Sequence, residues 1–78
     1  MSKTSIEECV RDNLEIYFHD LDGIEPDNMY EMILRVIEKP LLEVVMNHAE
    51  SNQSRAAHWL GLNRNTLRKK LLEHKLIE

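Results

Sequence analysis

Leu41, Leu42, Val44, Val45 and Met46, interrupted only by Glu43, surround a helix axis almost completely. A helix that is apolar all round is buried all round. The chain has 78 residues, room for one domain with one small core. At that size a single core supplies only a few kcal/mol, and a staple is usually needed. The lone cysteine, Cys9, excludes an intrachain disulfide framework. One short chain cannot wrap this helix, so a second copy is predicted to cover it, as a homodimer. No apolar run approaches the ~18 residues of a membrane span. The opening Met1-Ser2-Lys3-Thr4-Ser5-Ile6-Glu7-Glu8 carries no signal-type apolar stretch. No membrane association and a cytoplasmic location are the expectation.

Two Gly and two Pro leave few breakers, and four helical stretches are legible. The first is expected over residues 5–21, where Ile6, Val10, Leu14, Tyr17, Phe18 and Leu21 fall in one stripe. Thr4-x-x-Glu7 and Ser5-x-x-Glu8 both fit a capping box at its start. Leu21-Asp22-Gly23 ends it, and Pro26 suits the first turn of the next helix. The second is expected over residues 26–48, kinked rather than ended by Pro40. Its first half sets Met29, Tyr30, Ile33, Val36 and Ile37 against a solvated face of Glu31, Arg35 and Glu38. The third spans about 52–60 behind a Ser51 or Asn52 cap. The fourth spans about 64–75, with Asn63 as its N-cap and Leu62 and Leu67 as a hydrophobic staple. The fold class is all-α. A single domain is expected: dimerisation helices over 1–49 and a helix-turn-helix over 50–78.

Charge divides at the same place. Residues 1–50 hold four basic and twelve acidic side chains, a net −8; residues 51–78 hold six basic and two acidic, a net +4. A basic end on an acidic body points to an anionic partner at that end. Two short helices joined by Gly61-Leu62-Asn63, the second of them basic, form a helix-turn-helix pattern. Small Ala57 allows the helices to cross closely, and Gly61 permits the positive φ of the turn. Leu60, Leu62, Leu67 and Leu71 supply the core that sets the crossing. Leu67 and Leu71 face inward, Asn65, Thr66 and Lys69 face away, and Arg68 and Lys70 take the flanks. Arg64 sits at the tip, where it is suited to a guanine edge, while flanking Lys and Arg suit phosphate.

The residues that carry this pattern also resemble a known family. Pro40-Leu41-Leu42-Glu43-Val44-Val45-Met46, Asn52-Gln53-Ser54-Arg55-Ala56-Ala57 and Gly61-Leu62-Asn63-Arg64-Asn65-Thr66-Leu67-Arg68-Lys69-Lys70-Leu71 are similar to the Fis family (factor for inversion stimulation). They are similar as well to the C-terminal domains of NtrC-type activators. The likeness is dense over residues 40–71. It implies a bacterial nucleoid-associated homodimer and transcriptional regulator that binds and bends double-stranded DNA. Specificity would then be read largely from deformability. The positions matching the family's DNA contacts are Asn52, Ser54, Asn63, Arg64, Thr66, Arg68 and Lys69, with Asn63 and Arg64 at the base-contacting ones. Glu50, Leu72 and Glu73 stand where basic residues are common, which implies weaker flanking contacts, and Asn65 stands where Gly is usual. A recombinase partner is not expected, because the N-terminal arm of many members is missing ahead of the first helix.

Other chemistry is set aside. His19, His48, His58, His74 and Cys9 show no paired ligand spacing, so no metal is expected and the histidines are read as surface or capping residues. No phosphate loop or nucleophile triad is present, so neither a cofactor nor enzyme activity is expected. Trp59 is read as core rather than a stacking platform, and the four Met as core filler. Two further readings stay open: the detached DNA-binding domain of an NtrC-type activator, and a helical module that docks an acidic protein.

Overall fold

The computed structural model describes residues 2–78. Met1, one of the four methionines read as filler, lies outside them. Among the described residues there are four helices and no strand: α1 (Lys3–Leu21), α2 (Met29–His48), α3 (Gln53–Leu60) and α4 (Arg64–Glu73).

The starts of α1 and α2 differ from expectation. The α1 cap is Ser2, whose hydroxyl accepts from the Ser5 N–H at 3.2 Å, so α1 begins ahead of both capping boxes. Asp22 closes it in the left-handed conformation at φ 50°, its N–H donating to the His19 carbonyl, with Gly23 following at φ 86°. Pro26 precedes α2 instead of opening it. Asn28, itself left-handed, occupies the N-cap without a side-chain hydrogen bond. The helix then runs unbroken through Pro40 to His48, as expected of a single helix. Proline costs one ladder bond there.

The packed centre is shared between the end of α2 and the two short helices. Leu42, Ala49, Ala56, Ala57, Leu67 and Leu71 form the buried cluster, with Val45, Met46, Leu60, Leu62, Leu76 and Ile77 packed around it. This packing divides the apolar segment of α2. Leu42, Val45, Met46 and Ala49 recur at i, i+3, i+4 and i+7, one helical face, and the chain's own α3 and α4 cover it. Leu41 and Val44 point elsewhere and remain exposed. The segment is thus wrapped from one side within the protomer.

The N-terminal half is different. No residue of α1 is buried. Its stripe faces the first half of α2 across an open apolar groove of ≈ 470 Å³ lined by Val10, Leu14, Tyr17, Ile33, Val36 and Ile37, among others. The protomer measures 44 × 27 × 17 Å, with a radius of gyration of 15.0 Å. A compact domain of this length has a radius of about 11.5 Å. Its accessible surface is 6559 Å², against about 4,900 Å² for a compact monomer of its mass.

Candidate nucleic-acid interface

Two asparagines organise the helix-turn-helix. Asn52 Oδ1 accepts from the Arg55 N–H at 3.0 Å and caps α3. Asn63 Oδ1 accepts from the Asn65 N–H at 2.8 Å and caps α4. Each cap satisfies one of the amide donors that a helix start leaves without a partner; the others are free for an external acceptor such as phosphate. Both asparagines are exposed. The caps explain the residue type at both positions before any ligand is invoked.

The turn between the helices follows the same local logic. Gly61 sits at φ 71°, and the next N–H, of Leu62, donates back to the Ala57 carbonyl at 3.0 Å. This is a Schellman closure, which requires a left-handed residue and favours Gly. It folds Leu62 back onto the cluster to which Leu67 belongs, as a staple between them requires. With Ala56 and Ala57 buried under α4, the crossing of α3 and α4 is held at close range.

That scaffold turns one face of α4 outward. Leu67 and Leu71 are buried; Arg64, Asn65, Thr66, Arg68 and Lys69 are exposed. Ser54, in the first turn of α3, is exposed too. All seven positions singled out from the sequence therefore lie at the surface, five of them on α4 or its cap. The cations Arg64, Arg68 and Lys69 make no ion pair with an acidic side chain among the described residues. Their charge is directed to solvent. Glu73 ends α4, also exposed, and Glu50 lies in the α2–α3 turn.

Lys70, on the α4 flank, behaves otherwise. Its Nζ lies 2.9 Å from Glu38 Oε2, and His74 Nε2 lies 2.8 Å from Glu38 Oε1. An ionised carboxylate only accepts, so the His74 Nε2 atom carries the proton in this contact. The Lys70 hydrogen bond, followed by the His74 one, holds the Glu38 carboxyl below the usual glutamate range, against the opposing effect of burial. The sequence reading missed this node. Helical periodicity sets Glu38 on a solvated face and His74 reads as a surface or capping histidine, yet the His74 side chain is only 6% exposed. The i,i+4 spacing of Lys70 and His74 is its one trace in the sequence; the partner lies 32 and 36 residues away. Trp59 is a second correction. It is 53% exposed, because Ala56, Ala57 and Leu60 take the inward face of α3 and leave Trp59 outside it.

Comparison with known proteins agrees with this architecture. The sequence profile of the bacterial regulatory protein, Fis family, matches residues 33–74. A Fis-like DNA-binding protein of Ralstonia nicotianae is 58% identical over 77 residues, covering 99% of this chain and 100% of that protein. A Fis-like DNA-binding protein of Neisseria meningitidis serogroup A is 57% identical over 72 residues, 92% of this chain and 91% of its own. The DNA-binding protein Fis of Glaesserella parasuis is 46% identical over 69 residues, 88% of this chain and 70% of that one. An all-α chain with this turn, this cationic helix and this identity across nearly its whole length belongs to the bacterial regulatory proteins of the Fis family.

Proposed function

We propose that the chain is a homodimeric DNA-binding and DNA-bending transcriptional regulator of Fis type, acting in the bacterial cytoplasm on the nucleoid. The observation that carries the DNA-binding part is the outward face of α4. Three cations without acidic partners among the described residues stand on a helix whose opposite face is locked into the core. In this reading Arg64 meets a base edge with Asn63 beside it. Asn52, Ser54, Thr66, Arg68 and Lys69 hold phosphate, helped by the amides of the two capped helix starts. The net −8 of residues 1–50 repels DNA and confines binding to the basic end.

Support for the dimer comes from the surface. The excess over a compact monomer is roughly 1,600 Å² per protomer, so a pair would bury about 3,200 Å², within the span of obligate homodimers. Ile33, Ile37, Pro40 and Val44 recur at intervals of four, three and four along α2, the seam spacing of packed helices. Residues 1–49 then dimerise through α1 and α2 as a four-helix core, and residues 50–78 bind DNA. The last turns of α2 serve both, since Leu42 and Ala49 belong to the buried cluster. Two recognition helices held closer than the ~34 Å between successive major-groove faces would bend the duplex.

Fluorescence anisotropy on labelled duplexes tests the reading. Affinity for an arbitrary duplex should fall steeply with salt, and sites with an A·T-rich centre should bind better than sites with a G·C-rich centre. Salt-insensitive binding, or none, refutes DNA recognition. Equal affinity for both centres, with no mobility change in a circular-permutation assay, refutes bending.

A further inference from the structure

We propose that Glu38 is a positioning residue that keeps Lys70 off the DNA, so that of the α4 cations only Arg68 and Lys69 meet phosphate, beside Arg64 at a base edge, and Lys70 does not join them. The inference rests on the DNA-binding reading above and adds a residue from the dimerisation half of the chain to it.

The geometry is specific. Lys70 follows directly on Arg68 and Lys69, and in sequence the three form one basic run. In the fold they part. Arg68 and Lys69 are exposed, whereas Lys70 is half-buried with its ammonium 2.9 Å from a carboxylate oxygen of α2. The other oxygen of that carboxylate receives His74, the residue that caps α4 one turn beyond Lys70. Both oxygens of Glu38 are thus committed to one face of α4, and two successive turns of that helix are pinned to α2. Among the described residues these two contacts are the hydrogen bonds between side chains far apart in sequence. Side-chain relative exposure of 32% for Lys70 and 26% for Glu38 places the pair where screening by solvent is partial.

A cation held this way contributes little to counterion release, because its charge is already compensated when DNA arrives. The consequence is a limit on sequence-independent affinity. Each phosphate neutralised adds about 0.9 to the slope of log affinity against log salt. A lysine freed in both protomers of a dimer therefore adds about 1.8. Over the fourfold range from 50 to 200 mM salt, such a change alters relative affinity by roughly 12-fold. Freed lysines would raise binding to every sequence alike and dilute the preference set by Arg64 and by DNA shape.

The test compares native protein with Glu38→Gln, Lys70→Met and the double variant, by anisotropy on a preferred and a scrambled duplex from 50 to 200 mM salt. Circular dichroism and urea unfolding confirm that each is folded at the assay temperature. Glu38→Gln should steepen the salt slope by up to about 1.8 and bind the scrambled duplex several-fold more tightly at 50 mM salt. Lys70→Met should leave the native slope unchanged, and the double variant should return to it. A purely structural role for Glu38 would lower affinity on both duplexes without steepening, and the double variant would stay weak. The proposal is overturned by that pattern, by an unchanged Glu38→Gln slope, or by Lys70→Met flattening the native slope. Absence of salt-dependent binding by the native protein instead removes the DNA-binding reading, and this proposal with it.

Discussion

Val36→Asp separates a monomer from an obligate dimer. In the isolated protomer Val36 is 60% exposed and lines the open groove between α1 and α2. On a monomer, an aspartate there is a surface substitution worth less than about 0.5 kcal/mol either way. In a dimer closed over that groove, each protomer buries a carboxylate without a partner. After relaxation such a charge costs several kcal/mol. Taking about 3 kcal/mol each, the two copies weaken association by about 6 kcal/mol. At 1.4 kcal/mol per decade, the dissociation constant rises by roughly four orders of magnitude. Val45→Asp, which the apolar segment alone would have recommended, does not discriminate, because Val45 also packs on the helix-turn-helix cluster. The assay is sedimentation equilibrium from nanomolar to high micromolar concentration, with circular dichroism on the same samples. Native protein should sediment as a dimer and its urea midpoint should rise with concentration. The variant should be monomeric at micromolar concentration. It should also lose helical signal, up to the 19 residues of α1, because no residue of α1 is fully buried within its own protomer and a lone helix of that length is marginal. A native monomer with full helicity at micromolar concentration would refute the reasoning, as would a variant that dimerises with native affinity.

Three other outcomes follow from the same structure. Arg64→Ala should cost about 1–3 kcal/mol on a preferred site and relax base preference at one position per half-site. Lys69→Ala should weaken preferred and scrambled sites alike and flatten the salt slope by about one unit for each phosphate no longer neutralised; reversal of these roles in anisotropy titrations would refute the assignment. Because the folded-state pKa of Glu38 is depressed, its contribution to stability is present above the unfolded-state value and is lost as pH falls through the folded one. Urea unfolding between about pH 6 and pH 3 should therefore show a shallower acid loss for Glu38→Gln than for the native chain, and parallel curves would contradict this. Lys75 closes α4 at φ 58°, where the Leu76 N–H donates to the Leu71 carbonyl at 2.9 Å. Lys75→Gly should relieve left-handed strain and stabilise the chain by roughly 0.5–1 kcal/mol, read as a higher urea midpoint at fixed concentration.

Local chemistry was legible from the residues alone. The caps at Asn52 and Asn63, the left-handed Gly61, the Leu62–Leu67 staple and the inward Leu67 and Leu71 all follow from rules spanning a few residues. Those rules suffice to predict a helix-turn-helix with Asn65, Thr66 and Lys69 outward, Arg64 at the tip and Arg68 on a flank, because side-chain direction on a helix is set by periodicity. Helix starts were less legible. Ser2, Thr4 and Ser5 are all competent caps within four positions, and only the Ser2 geometry is realised.

What the sequence could not decide is which surface covers which. The apolar segment of α2 demanded burial on every side, and that demand follows from composition and the helical period. Only the tertiary structure divides it: Leu42, Val45 and Met46 go to the chain's own helix-turn-helix, and Leu41 and Val44 stay exposed. The same holds for Lys70 and Glu38. Adjacent basic residues look alike in sequence, and a carboxylate 32 positions away becomes a neighbour only once α4 is docked on α2. Period and capping act over one or two turns and are written in the order of residues. Pairing between faces depends on how whole helices pack, so it exists only in the folded chain.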